Sequence, residues 1–112
     1  MSRFVRACSS DELGDGVPLA VEVDGEPVCL VRVPDGVFAF DDVCPHRGAQ
    51  LSRGTLAGTT IMCAAHTWEF DVTTGDLLRL RAPECLAMRE AREADGVIEV
   101  EARTHAAAEA AA

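Results

Sequence analysis

Residues 44–48 read Cys-Pro-His-Arg-Gly, and residues 63–68 read Cys-Ala-Ala-His-Thr-Trp. Sixteen residues separate His46 from Cys63. Each segment offers one thiol and one imidazole, two side chains suited to transition metals. In Cys-x-His the two side chains leave the same side of a tight turn. In Cys-x-x-His the turn is one residue longer, and the amides inside it can point at a sulfur. Pro45 fixes one φ angle of the first turn, and Gly48, Gly54 and Gly58 permit the close turns such a loop needs. Two loops of this kind, facing each other like fingers, can enclose a metal centre.

Outside these segments the sequence reads as short strands divided by turn signals. Runs at 3–8, 17–23, 27–33, 37–40, 76–80, 86–90 and 97–101 have strand character. Asp24-Gly25 is a strong hairpin signal, and further turns fall at Pro34-Asp35-Gly36, Thr74-Gly75 and Asp95-Gly96. Ser9 and Glu12 are spaced as a capping box for a single turn. The rhythm predicts an antiparallel all-β domain, a sandwich or a barrel. Two stretches, 41–58 and 63–70, break it, and both carry the Cys and His residues.

With 112 residues the chain has the size of one domain, and 48% hydrophobic residues suffice for a core. No apolar run reaches the length of a membrane span, and no apolar stretch of signal-peptide type follows the charged start. Nineteen acidic residues stand against ten basic ones, all arginine, for a net charge of −9. That balance excludes a phosphate-neutralising nucleic-acid surface and suits a partner with a basic patch. The five cysteines, at 8, 29, 44, 63 and 85, are odd in number and unevenly spaced, which argues against a disulfide framework. A reducing cytoplasm is the expected home.

Two metal centres fit two Cys and two His. A tetrahedral zinc site is one, although zinc fingers usually pair Cys with Cys and His with His along the chain. A [2Fe–2S] cluster with mixed ligation is the other, two Cys on one iron and two His on the second. Each loop then gives one ligand to each iron, and the loops clamp the cluster jointly.

Here the sequence resembles the Rieske [2Fe–2S] proteins. The match is Cys-x-His, sixteen residues, Cys-x-x-His, with Asp42 to Ala49, Leu51-Ser52-Arg53-Gly54, the run His66 to Asp71, and Thr74-Gly75 agreeing as flanks. The motif covers about a quarter of the chain, and length and strand pattern fit a free-standing ferredoxin over nearly all of it. The resemblance implies an all-β, Rieske-type antiparallel sandwich with a small cluster-binding subdomain made of two loops, at about 41–58 and 63–71 of a domain spanning 1–103. The Ala-rich tail, 104–112, is expected to be disordered. By the same resemblance Cys44 and Cys63 bind the inner iron, and His46 and His66 bind the outer one.

High-potential Rieske proteins of quinol-oxidising complexes carry an extra disulfide and place Ser and Tyr two and four positions after the second His. Trp68 and Phe70 occupy those positions here. Loss of two hydroxyl bonds to the cluster implies a low potential. His-Thr-Trp and Pro83-Glu84-Cys85-Leu86 look most like the ferredoxins of toluene-type, di-iron monooxygenases, with those of ring-hydroxylating dioxygenases close beside them. The implied role is a soluble one-electron carrier rather than an enzyme. It takes electrons from a flavin-containing, NAD(P)H-dependent reductase and gives them to a terminal oxygenase, a di-iron hydroxylase or a Rieske oxygenase. It is expected to be monomeric and to bind no nucleic acid or membrane. A Rieske subunit of a nitrite reductase-like complex and a structural zinc module are the rival readings. Arg47, Gln50 and Trp68 are candidates for docking or cluster shielding. Cys8 and Cys29 read as small core residues, Asp41 and Asp42 as turn and solvation residues.

Overall fold

The computed structural model describes residues 3–45, 48–64 and 68–102. Among these the chain is built from strands: β1 (Arg3–Ser9), β2 (Leu19–Val23), β3 (Glu26–Val33), β4 (Gly36–Asp41), β5 (Thr55–Ala57), β6 (Thr60–Met62), β7 (Glu69–Asp71), β8 (Leu77–Leu78), β9 (Met88–Arg89), β10 (Ala91–Ala94) and β11 (Val97–Ala102). Two 3-10 turns, Ser10–Glu12 and Leu51–Arg53, complete the elements. The strands form three antiparallel sheets, ordered β1-β11-β10, β2-β3-β4-β9 and β5-β6-β7-β8. No helix among the described residues is long and apolar enough to cross a membrane.

The Asp-Gly signals close hairpins as the sequence predicts. Asp24 and Gly25 have φ of 51° and 80°, Asp95 and Gly96 of 54° and 77°. Positive φ at both central positions is the I′ geometry that matches strand twist. The first turn joins β2 to β3, the second β10 to β11.

The β2-β3-β4-β9 sheet is the middle layer. On β4, Val37 and Ala39 pack into one core with Cys8, Val28, Leu30, Ile98 and Val100. Phe38 and Phe40 pack into the other, with Cys29, Val31, Leu51, Ile61, Phe70 and Val72. Alternate residues thus serve opposite faces of one strand. β3 is covered on both sides, which explains its unbroken apolar run Val28-Cys29-Leu30-Val31, every member fully buried. The predicted core roles of Cys8 and Cys29 hold.

Four strands escape the sequence pattern. β5, β6 and β7 are three residues each and lie in or beside the two Cys/His stretches. Runs that short show no periodicity, and pairing with neighbours forms them. β10 reads Ala-Arg-Glu-Ala, a helix-favouring composition, and its hairpin with β11 overrides that preference. The expected strands at 76–80 and 86–90 shrink to two residues each. The capping box does not form: Ser9 precedes the 3-10 turn without a side-chain bond to it, and its hydroxyl accepts from Arg6 at 2.9 Å.

Candidate metal centre

Cys44 and Cys63 lie at the same side of the middle sheet and are tied down alike. The Cys44 N–H donates to the Ala49 carbonyl at 2.7 Å, and the Gly48 N–H donates to the Cys44 carbonyl at 2.7 Å. In the second segment the Cys63 N–H donates to the Trp68 carbonyl at 2.7 Å. Each cysteine therefore begins a six-residue loop, 44–49 or 63–68, closed at its base by its own amide. Gly48, at φ +81°, makes the return of the first loop possible.

Cys44 and Cys63 are 1% and 0% exposed and belong to one apolar cluster with Leu51, Leu56, Ile61 and Phe70. Two cysteines at the bases of two matched loops, sharing one dry wall, suit a metal that takes thiolates from inside the protein. His46 and His66 fall within these loops by sequence and lie outside the described residues, as do Arg47, Thr67, His105 and the tail. Among the described residues no three His, Cys, Asp or Glu side chains converge. The described half of the donor set is thus the thiol pair.

Trp68 is half-buried and packs against the cluster that holds both cysteines. Its ring stands 6.3 Å from that of Phe70, tilted by 48°. Phe70 is fully buried, and as a phenylalanine it brings no hydroxyl to the position. Gln50 is exposed, and its side-chain carbonyl accepts from Arg53 Nε at 3.0 Å. Cys85 is exposed and forms an isolated antiparallel bridge with Asp76. Val43, beside Cys44, is 44% exposed and adds an apolar spot at the loop base.

The two aspartates before the first loop are not solvated turn residues. Asp41 accepts from Arg89 Nε at 2.7 Å, and that arginine, whose side chain is 3% exposed, also reaches Glu26 at 2.5 Å. Asp42 is 1% exposed. Its carboxylate accepts from the Ser52 N–H at 2.7 Å and from the Ser52 hydroxyl at 2.6 Å. Buried carboxylates need such donors. Nothing in the sequence marks Ser52 or Arg89 as their partners, since both bonds depend on how the loop and β9 return to β4.

A family model described as Rieske [2Fe-2S] domain matches residues 3–90. The ferredoxin component of the naphthalene 1,2-dioxygenase/salicylate 5-hydroxylase systems of a Ralstonia species is 35% identical over 75 residues, 67% of this chain and 72% of that one. The solved ferredoxin of carbazole 1,9a-dioxygenase from Nocardioides aromaticivorans superposes with a TM-score of 0.79 at 33% identity, covering 87% of this chain and 95% of the other. A chain in a complex of reduced oxygenase and oxidized ferredoxin of carbazole 1,9a-dioxygenase matches with a TM-score of 0.77 at 31% identity, over 86% of this chain and 99% of that one.

Proposed function

We propose, because this chain belongs to the Rieske [2Fe–2S] domain family, that it is the ferredoxin of a multicomponent oxygenase system and carries single electrons to the terminal oxygenase. The carrying observation is the pair of buried cysteines, Cys44 and Cys63, at the bases of two matched loops on one apolar wall. The family's cluster is held by two cysteines and two histidines. We assign Cys44 and Cys63 to one iron and His46 and His66 to the other.

When bound, the cluster takes up and gives off one electron by outer-sphere transfer. The chain's own residues set the conditions. Leu51, Ile61, Phe70 and Val72, all fully buried, keep water from the sulfur side. The amides of Cys44 and Cys63, bonded to Ala49 and Trp68, hold the loop bases at fixed separation within each loop. Exposed Val43 and Gln50 flank the first loop, where a partner would meet the centre.

On this reading the acceptor is a terminal oxygenase, either a Rieske oxygenase or a di-iron hydroxylase, as in the systems its relatives are named for. The donor is a flavin-containing, NAD(P)H-dependent reductase, and the 112 residues themselves hold no Gly-rich dinucleotide fingerprint. The net charge of −9 suits partners with basic docking grooves. The protein works as a monomer in the cytoplasm, in weak and quickly exchanging complexes.

The test is electron paramagnetic resonance after dithionite reduction, with iron and sulfide counted. Two irons and two sulfides per chain with a rhombic signal are expected of a mixed Cys/His cluster. A colourless protein with one zinc and no sulfide would sink the reading.

A further inference from the structure

Only two charged side chains are buried among the described residues, Asp42 and Arg89. They are handled differently. Arg89 is matched by two carboxylates, Glu26 and Asp41. Asp42 has no cationic partner among the described residues, and its donors, the N–H and O–H of Ser52, are neutral. A lone buried carboxylate is costly to keep.

Its place in the chain suggests what the charge does. Asp42 stands two residues before Cys44, and Ser52 follows the first loop. The two bonds between them therefore join the start of the ligand loop to its end. The Asp42 N–H also donates to the Pro27 carbonyl on β3 at 3.1 Å, so the same residue anchors the loop to the middle sheet. Leu51, between the loop and Ser52, is fully buried. The loop is thus fastened at both ends beside buried residues, Asp42 and Leu51.

The field of this carboxylate reaches a sulfur of the core. Cys29, in the same apolar cluster as Cys44 and Cys63, has its thiol pushed up by burial and then by the charge of Asp42. Cys44 is nearer in sequence, its Cα within about 7 Å of that of Asp42. A fixed negative charge buried in the same core, away from water, repels an electron added to a centre on the cysteine sulfurs.

We propose that Asp42 is a positioning residue that fastens the first ligand loop through Ser52, and that its buried charge lowers the reduction potential of the centre. The inference rests on the cluster reading above. It concerns a residue that touches neither the electron donor nor the acceptor.

Asp42→Asn and Ser52→Ala test it in the intact, cluster-loaded protein. Asparagine keeps the shape, accepting from the Ser52 N–H and donating to its hydroxyl, but removes the charge. Alanine keeps the charge but removes one of the donors that neutralise it. The midpoint potential should rise in Asp42→Asn and fall in Ser52→Ala, and iron should leave Ser52→Ala severalfold faster under a chelator. A merely structural role would not move the two midpoints in opposite directions. Full loading of Asp42→Asn with an unmoved midpoint overturns the electrostatic part. If Asp42→Asn does not load, an unmoved midpoint in Ser52→Ala overturns it instead. Unchanged iron loss from Ser52→Ala overturns the fastening. Wild-type protein without iron and sulfide would instead defeat the cluster reading itself, so the two failures are distinct.

Discussion

Gly54 and Met62 approach so closely that a β-carbon on Gly54 would fall 2.0 Å from the Met62 carbonyl oxygen. The Leu51 carbonyl oxygen would lie 3.1 Å away. The obstacle is backbone, part of the β5-β6 pairing in which Thr55 faces Met62. The Met62 carbonyl cannot yield without opening that hairpin, and Cys63 follows Met62 directly. Gly54→Ala should cost about 3 kcal/mol, the upper end for overpacking, and reduce iron loading. Gly14→Ala, with nothing within 4 Å, should be near neutral. Urea midpoints of the two variants check the contrast, and equal midpoints would refute it.

Arg89 holds four strands together. From β9 its guanidinium reaches Glu26 on β3, Asp41 on β4 and the Glu101 carbonyl on β11. Arg89→Met keeps much of the apolar stem but takes the shared guanidinium from two carboxylates. We expect a loss of about 3 kcal/mol in denaturant unfolding, the low end for a broken buried pair, because both carboxylates retain some water contact. Arg92→Met removes the exposed pair with Glu99 and should cost under about 1 kcal/mol. Similar losses in the two variants would contradict this ranking.

Glu93 gives a pH signature. Arg32, bonded to both of its carboxylate oxygens, holds its pKa down at about 2 against an ordinary 4.5. A lowered folded pKa contributes stability that is fully present above the ordinary value and is lost as pH falls toward the folded one. Glu93→Gln should therefore be modestly less stable than wild type near neutrality, since the pair is exposed. The difference should close between about pH 4.5 and 2. A gap that persists unchanged through that window would count against the pairing.

Thiol chemistry separates the five cysteines. Burial raises the thiols of Cys8 and Cys29 and holds them protonated. Cys85 is exposed. In the cluster-loaded protein, iodoacetamide should label one site, read by mass spectrometry as Cys85, and Cys85→Ser should abolish labelling. Denatured, iron-free protein should take up label at all five cysteines. Rapid native labelling of Cys29 would contradict the core placement.

Phe70 bears on the potential. It is fully buried four residues after His66 and has no hydroxyl to offer a cluster sulfur. The midpoint should lie toward the low end of the roughly −150 to +300 mV Rieske range. Phe70→Tyr should raise it wherever the new hydroxyl finds the sulfur. A wild-type midpoint near the top of that range, measured by spectroelectrochemistry, would remove this explanation.

The sequence by itself determined the family and the class of fold. Cys44, His46, Cys63 and His66 are readable as the proposed ligands because such a set is local in each loop, a few residues at fixed spacing. The β2-β3 and β10-β11 turns are readable because Asp-Gly favours positive φ at both turn positions wherever it occurs. The tertiary structure alone decided the rest. It formed β5, β6, β7 and β10, which are too short or too helix-prone to declare themselves. It buried Asp42 against Ser52 and enclosed Arg89 between Glu26 and Asp41. An aspartate before a cysteine looks the same in sequence whether water or a serine faces it. Its environment is set by segments that return from ten residues away for Asp42 and forty-eight for Asp41, and only the packed fold brings those segments back.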